Sequence, residues 1–365
     1  WRQSWQSLSR NEKILLASIV LYALSGVVAF INVQDTQEYI KDIERYVRFA
    51  LAVPVYLLVK RYRINAVNYL LAGAVVSGPF LFAIAFSDFI ENPDLPARGY
   101  YHHIIFGSVA MLNVGVMISI LLLKKLDKPV KALVMASMLC GLAATIFSQS
   151  RGVWLVLPLY LLIALYYSLK HSVKKFIATL TVLAVMAVMM FVSPAGELVK
   201  NRVDIAVDEV SAYYNDNQYT SSLGTRLAMW DIALDIWQQH PVIGSGPGDF
   251  DDTIIALQKE GKYVGMPVHA STHNIYMQSL VNTGLLGLFS MLIALLVAPH
   301  MLLYEQRAQN GKAVLTGFIM FTSFAIFGLS EAWILRLPTV SVFIIYMVII
   351  VSSVCADAAE INTEQ

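Results

Sequence analysis

Charged residues are scarce in this chain of 365 residues, because only 14% are Asp, Glu, Lys or Arg. An average soluble domain contains about 25%. Apolar residues make up 57% of the sequence, and the mean hydropathy is +0.62. This composition cannot supply a polar shell around so much apolar surface. It excludes an ordinary soluble protein and makes lipid part of the solvent.

The chain has only two cysteines, and it does not begin with Met. Cys140 and Cys355 lie in different apolar runs, which argues against a disulfide framework or a thiolate metal site. The net charge is only +1, so expectations about partners depend on where the charges lie; no nucleic-acid partner is expected. The chain opens at Trp1 without a signal-peptide pattern, and we expect an N-terminus that is truncated or processed, with upstream helices missing.

What the sequence has in abundance is long apolar runs. Because lipid offers no hydrogen-bond partners, each run is expected to cross the membrane as a helix. The fold class is therefore an all-α polytopic membrane protein with ten predicted spans. They are residues 14 to 33, 46 to 59, 66 to 90, 103 to 123, 130 to 149, 152 to 169, 175 to 193, 274 to 303, 312 to 333 and 338 to 356.

The charges of the connections predict the orientation. Taken alternately, five connections on one side carry fifteen basic and three acidic residues, which places that side in the cytoplasm by the positive-inside rule. The opposite, external side contains one long loop, 194 to 273. We therefore divide the chain into N-terminal helices (1 to 193), this loop, and C-terminal helices with a short cytoplasmic tail (274 to 365).

The long external loop is expected to carry function, since loops of this length without being linkers usually do. Thr225 is a candidate N-cap for an amphipathic helix whose apolar residues recur at helical spacing, and this helix should lie on the membrane surface or on the bundle. Arg226 would fall in its first turn, where an anion is favoured. The alternative is a surface Arg paired with Asp231 or another carboxylate.

Two further external residues have the right chemistry for a phosphate-linked substrate. Arg151 follows a short turn between two spans, where it is either an interfacial anchor or a bidentate phosphate clamp. His273 stands just before a span, where Ser271 or Thr272 could cap the helix. It is either an interfacial residue or a general base at neutral pH.

The remaining candidates are weaker. His102 and His103 head a span on the external side, and we favour substrate contacts over a metal pair because adjacent residues of a helix point apart. The Gly/Pro-rich turn at 240 to 249 is interpreted as solvated, although Asp249 and Asp251 have the spacing of a nucleotide-sugar metal site. The secondary candidates are Arg48, His102, His103, Asn274, Asp249, Glu331 and Arg336. Of these, Glu331 and Arg336 bracket the last external turn, and the alternative to a functional role is that they pair with each other.

These segments together resemble the O-antigen ligase family, bacterial membrane glycosyltransferases that share an O-antigen ligase/polymerase domain. The resemblance rests on four motifs. They are GYYHHIIFG at 99 to 107, SQSRGVWL at 148 to 155, TRLAMWDIALDIWQQHPVIGSGPGDF at 225 to 250 and STHNIYMQSLVNTGLLGL at 271 to 288. Asp249 departs from the Asn that relatives often have, which leaves the role of that turn open.

The resemblance implies about twelve helices in a GT-C type arrangement, with two helices before Trp1. It also implies an undecaprenyl-pyrophosphate-linked glycan as donor, lipid A-core as acceptor, and no cofactor or metal. Arg151 and Arg226 would hold the pyrophosphate and His273 would be the base, at the periplasmic face of a Gram-negative inner membrane. The alternatives are a glycan polymerase or protein O-glycan ligase with the same donor, and a lipid-linked sugar transporter.

Overall fold

The computed structural model describes residues 5–33, 36–123, 125–192, 194–248, 250–307 and 311–361. Within them the chain is helical, and no strand occurs. The α-helices are α1 (Arg10–Val28), α2 (Thr36–Ala50), α3 (Ala52–Arg61), α4 (Val67–Glu91), α5 (His103–Leu123), α6 (Lys128–Phe147), α7 (Leu157–His171), α8 (Val173–Val192), α9 (Pro194–Asp216), α10 (Ser222–Gln239), α11 (Phe250–Lys259), α12 (Ile275–Leu292), α13 (Ala298–Glu305), α14 (Gly311–Phe327) and α15 (Leu337–Ile361).

Seven helical stretches of the described residues are long and apolar enough to cross a membrane, and shorter apolar helices cover Phe176–Val185 and Gly311–Phe327. The prediction of an all-α, multi-pass membrane protein is therefore confirmed, whereas the count of ten spans and the GT-C arrangement stay predictions. α5 forms the centre of the bundle, since 78% of its apolar window is buried. The windows of α4 and α6 are mostly exposed, as expected of helices that face lipid.

The predicted span 46 to 59 has different bounds in the structure. The helix begins ten residues earlier, at Thr36, and is divided at Leu51 into α2 and α3. The early part, 36 to 45, is polar and was assigned to a loop. It is helical because its charged residues pair along the helix, as Arg45 does with Asp42 at 2.8 Å.

α2 and α3 together still bring the chain back to the end of the bundle at which α1 begins. Near the start of α2, the Tyr39 hydroxyl donates to the Gly26 carbonyl at the far end of α1 (3.3 Å). Near the end of α3, Lys60 forms an ion pair with Glu12 in the first turn of α1. The two short helices thus run antiparallel to α1, as a single span would.

The predicted span 274 to 303 is interrupted twice. A π-helical segment, Ile293–Val297, separates α12 from α13, and within α12 the backbone of Gly284 is non-helical, with φ +61°. The Gly/Pro-rich turn after α10 fits into this break, where Leu285 and Leu286 donate backbone hydrogen bonds to the carbonyls of Pro241 and Val242. A Cβ at position 284 would lie 2.4 Å from the Val242 carbonyl. This turn, expected to be solvated, is therefore a packed structural joint.

The segment 194 to 273 is a small helical layer on the bundle. Its opening residues form α9. α10 begins at Ser222 with Ser221 as its N-cap, which corrects the prediction of Thr225. The residues that α10 buries are chiefly small or branched, and they do not coincide with the predicted stripe of Leu and Trp. The buried residues are Gly224, Thr225, Ala228, Met229, Ile232, Ala233 and Ile236.

Candidate active site

His273 lies in a tight turn immediately before α12. Asn274, a secondary candidate, is the N-cap, since its Oδ1 accepts hydrogen bonds from the backbone N–H of Tyr276 (2.9 Å) and Met277 (3.2 Å). The prediction that Ser271 or Thr272 caps this helix is wrong. Instead, the buried Thr272 donates its N–H to Gln278 Oε1 (2.8 Å). His273 itself has φ +50°, a left-handed conformation that is uncommon for a residue other than glycine.

The ring of His273 contacts a buried carboxylate from the turn between α14 and α15. His273 Nδ1 lies 2.9 Å from Glu331 Oε2, and Glu331 is only 1% exposed. Arg336 Nε lies 3.8 Å from the other carboxylate oxygen. The pairing of Glu331 with Arg336 was anticipated as an alternative to a functional role. The structure adds His273 to that pair.

Glu331 is buried, yet its pKa is held below the ordinary value of a glutamate carboxyl. Burial alone raises this pKa, but the hydrogen bond with His273 and the nearby side chains of His273, Arg336 and His102 lower it by more. A carboxylate that accepts from Nδ1 fixes the ring tautomer. In the neutral ring, Nε2 of His273 is then the atom with the free lone pair.

Four more side chains, those of His102, His103, Arg226 and His269, come within electrostatic reach of Glu331. Together with His273, Glu331 and Arg336 they form what we call the Glu331 cluster. Burial lowers the pKa of His102 and of His269, while Glu331 opposes that shift in both. The rings of His269 and His273 meet edge to face at 5.2 Å. The lowered pKa values favour the neutral forms of His102 and His269 at neutral pH.

Arg226 reaches the cluster from the second turn of α10. Because the helix begins at Ser222, the predicted position of Arg226 in the first turn, beside the free N–H groups that favour an anion, is wrong. Burial lowers the pKa of Arg226, and Glu331 raises it. The anticipated pairing partner Asp231 instead accepts a hydrogen bond from Tyr213.

Arg151 stands in a turn that packs directly on the cluster. Ser150 Oγ donates to the His103 carbonyl at 2.8 Å. On the other side of Arg151, a Cβ at Gly152 would lie only 2.2 Å from Ser330 Oγ, next to Glu331. The backbone of Arg151 is thus held between the start of α5 and the turn of Glu331, and its side chain is exposed.

Of the other candidates, one is placed elsewhere and one lies outside the described residues. Arg48 forms an ion pair with Glu44 of its own helix. His103 is the first residue of α5, and its ring meets that of His102 at 4.6 Å, so the two adjacent rings do not point apart as expected. Asp249 lies outside the described residues.

Sequence reasoning missed two contributors. His269 precedes His273 by four residues in HASTH, and two histidines in so short a loop were an available signal. Trp230 Nε1 donates to the Thr272 carbonyl at 3.0 Å, which ties α10 to the turn of His273. No local signal predicts this contact, because Trp230 reads as part of an apolar stripe.

The arrangement combines a proton acceptor with an excess of positive charge. The cluster contains two guanidinium groups and one carboxylate, and Arg151 adds a third cation at its edge. Guanidinium pairs favour phosphate or pyrophosphate oxygens. Within the described ranges, no three His, Cys, Asp or Glu side chains converge as metal ligands would.

Comparison with known proteins points to the same part of the chain. Residues 136–292 match the family model described as O-antigen ligase, and this segment contains Arg151, Arg226 and His273. An uncharacterized protein of Haemophilus influenzae is 25% identical over 296 residues, which cover 80% of this chain and 72% of that protein.

An O-antigen ligase of Escherichia coli K12 is 26% identical over 214 residues, which cover 56% of this chain and 48% of that protein. The alignment therefore spans about half the length of this relative. Together with the motifs at Arg151, Arg226 and His273, these matches make the chain similar to the O-antigen ligase family and support that assignment.

Proposed function

We propose that this protein is a membrane glycosyltransferase that moves a glycan from undecaprenyl pyrophosphate to a sugar of lipid A-core. The reaction would take place at the periplasmic face of a Gram-negative inner membrane. The observation that carries the proposal is the hydrogen bond between His273 and the buried Glu331, surrounded by arginines. Transfer from a sugar–pyrophosphate requires a base next to a positively charged site that binds the departing pyrophosphate.

In the proposed reaction His273 is the general base. An acceptor hydroxyl oxygen attacks C1 of the donor sugar while the bond from C1 to the pyrophosphate oxygen breaks. The hydroxyl is too weak an acid to ionise beforehand, so its proton passes to His273 Nε2 as the new bond forms. Glu331, as acceptor from Nδ1, orients the ring and stabilises the imidazolium. Attack from the side opposite the leaving group inverts the anomeric carbon.

Arg226 and Arg151 would stabilise the leaving group. The pyrophosphate gains negative charge as the C1–O bond breaks, and fixed cations aimed at that charge lower the barrier. Loss of one preorganised contact of this kind typically costs about 3 kcal/mol. Burial of Arg226 makes it the stronger of the two, since a desolvated guanidinium attracts an anion through a lower dielectric. Arg336, held by Glu331, serves to position the carboxylate.

The test is transfer by the purified full chain in detergent, with an undecaprenyl-pyrophosphate-linked glycan and lipid A-core as substrates. We expect glycan-capped lipopolysaccharide from the wild type and at least a 100-fold loss with His273→Ala, as expected for a general base. His171→Ala is the matched control, because His171 is exposed at the end of α7, far along the chain from the cluster motifs, and should retain full activity.

Other products would point to other functions. A donor that is lengthened without transfer to lipid A-core would identify a polymerase. Transfer to a polypeptide would identify a protein O-glycan ligase. Undiminished translocation of lipid-linked sugar by Arg151→Ala and His273→Ala vesicles, without any glycan transfer, would identify a transporter and refute the proposal.

A further inference from the structure

A polar cavity of about 740 Å³ opens beside α10. It lies between the end of α9, α10 and the loop after α11. Aromatic and hydrogen-bonding side chains dominate its wall. Those used below are Tyr213, Tyr214, Asn217, Tyr219, Asp231 and Tyr263.

The tyrosine rings form a connected aromatic wall. The ring centroids of Tyr219 lie 5.0 Å from those of Tyr263 and 5.8 Å from those of Tyr213. Tyr214 continues the wall at 5.1 Å from Tyr213 and is 70% exposed. Exposed aromatic rings of this kind, with a polar end, suit ligands that have both an apolar face and a wet edge.

Hydrogen-bonding groups stand between these rings. The Tyr213 hydroxyl donates to Asp231, and the Tyr219 hydroxyl donates to Asn217 Oδ1 at 3.1 Å. Asp231 has further lone pairs and Asn217 has an amide donor. A sugar ring presents C–H groups on its faces and hydroxyls around its edge. The cavity offers a partner for both, which a simple apolar groove would not.

The backbone that presents Tyr263 is held in an unfavourable conformation. Tyr263 has φ +50° and lies between Gly261 and Gly265, which also have positive φ. A bulky residue in this region costs about 1–3 kcal/mol, and such residues cluster at ligand sites. The loop is fixed by Gln258 Nε2, which donates to the Met266 carbonyl at 2.6 Å. The strain is therefore retained by a specific anchor and keeps Tyr263 in the wall.

α10 connects this cavity to the Glu331 cluster. Arg226 reaches the cluster, and Trp230 contacts the turn of His273. The next residue, Asp231, lines the cavity. Asp231 follows Arg226 by five positions, which corresponds to a rise of about 7.5 Å along the helix axis. A saccharide whose first sugar lies at His273 could therefore continue into the cavity.

We propose that the cavity is a saccharide-binding subsite that holds sugars of the donor glycan beyond the sugar at which transfer takes place. This inference rests on the proposed function, because it takes the donor to be a lipid-linked glycan. The acceptor is also a saccharide, so the experiment measures both substrates separately. The subsite makes transfer sensitive to the length of the donor glycan.

The test compares Tyr214→Ala with the wild type on donors that carry one repeat unit or at least three. Tyr214 is mostly exposed, so its loss should leave folding intact. For the long donor we expect KM to rise about fivefold, which corresponds to about 1 kcal/mol, the size of one aromatic contact. KM for the short donor and for lipid A-core should not change. Tyr69→Ala, an equally exposed tyrosine in α4, is the control and should match the wild type on every substrate.

A second measurement does not depend on catalysis. Glycan freed from its lipid by mild acid is mixed with the purified full chain, and saturation-transfer NMR reports contact. We expect a signal with the wild type and Tyr69→Ala and at least a threefold weaker one with Tyr214→Ala. Equal signals and equal KM values for all variants would overturn the subsite. A change in the acceptor KM alone would overturn its assignment to the donor.

The two proposals fail in different ways. If the wild type binds free glycan through Tyr214 but transfers none, the proposed reaction is wrong and the saccharide site remains. If transfer proceeds and Tyr214→Ala behaves as the wild type in both measurements, the reaction remains and the subsite is wrong.

Discussion

Replacing Glu331 by Gln tests the central contact of the proposed mechanism with little change in shape. In the wild type Glu331 Oε2 lies 2.9 Å from His273 Nδ1, and a neutral ring that donates from Nδ1 has its lone pair on Nε2. A Gln amide that turns its NH₂ group toward Nδ1 would require the other tautomer. Nε2 would then carry the proton and could no longer accept one from the acceptor hydroxyl.

The magnitude follows from the burial of this contact. Hydrogen bonds to charged groups contribute roughly 1.5–3 kcal/mol, and Glu331 is only 1% exposed, so solvent screens it little. If that energy stabilises the imidazolium formed in the transition state, its loss lowers kcat about 10- to 150-fold. The change of tautomer can bring the loss toward the about 10⁴-fold known for a carboxylate-to-amide change beside a catalytic His.

The assay is the transfer reaction with saturating donor, with kcat and KM determined separately. Glu91→Gln is the control, since Glu91 is an exposed carboxylate at the end of α4, and both of its constants should stay within twofold of the wild type. A positioning role predicts a loss in kcat at nearly unchanged donor KM. A kcat within twofold of the wild type would refute the role of Glu331, and a rise in KM alone would assign it to binding.

Two further predictions concern stability in detergent. Gly284→Ala should lower the free energy of unfolding by at least about 2 kcal/mol, because the positive φ of Gly284 and the close backbone of Val242 both oppose a Cβ. Gly73 has open space around it, so Gly73→Ala should instead raise the free energy of unfolding by up to about 1 kcal/mol through helix propensity. Equal melting temperatures of the two variants would contradict this prediction. The pKa of Glu331 is lower in the folded protein than in the unfolded chain, where it is about 4.3. The ionised carboxylate therefore stabilises the fold fully above the unfolded-state pKa, and this stabilisation is lost as the pH falls through the folded-state pKa. The advantage of the wild type over Glu331→Gln should thus persist at pH 5 and decline below about pH 4, and its absence at pH 5 would be the contrary result.

The membrane-spanning helices could be predicted from the sequence because their signal is local. A helix in lipid must satisfy its own backbone and present apolar side chains, and both requirements are written in one continuous run. The same holds for Arg151 and His273, which the sequence places at the ends of such runs. The motifs around these two residues, through their resemblance to the family, suggested a chemistry for the site before any contact was known.

The exact ends and breaks of the helices were decided by tertiary contacts. Ser221 and Thr225 are both good caps by residue type, as are Thr272 and Asn274, and the sequence offers no local reason to prefer one of each pair. Thr272 is occupied by Gln278 and Asn274 is left to cap α12. The break at Gly284 likewise depends on the turn that packs into it, which comes from another part of the chain.

The pairing of His273 with Glu331 could not be predicted from the sequence. Glu331 has a nearby basic residue, Arg336, and local reasoning pairs these two. Its hydrogen-bond partner His273 lies 58 positions earlier in the chain, and only the packing of α12 against the turn after α14 brings them together. Spacing along a chain predicts contacts within a helix or a turn, whereas contacts between distant turns depend on how the helices pack.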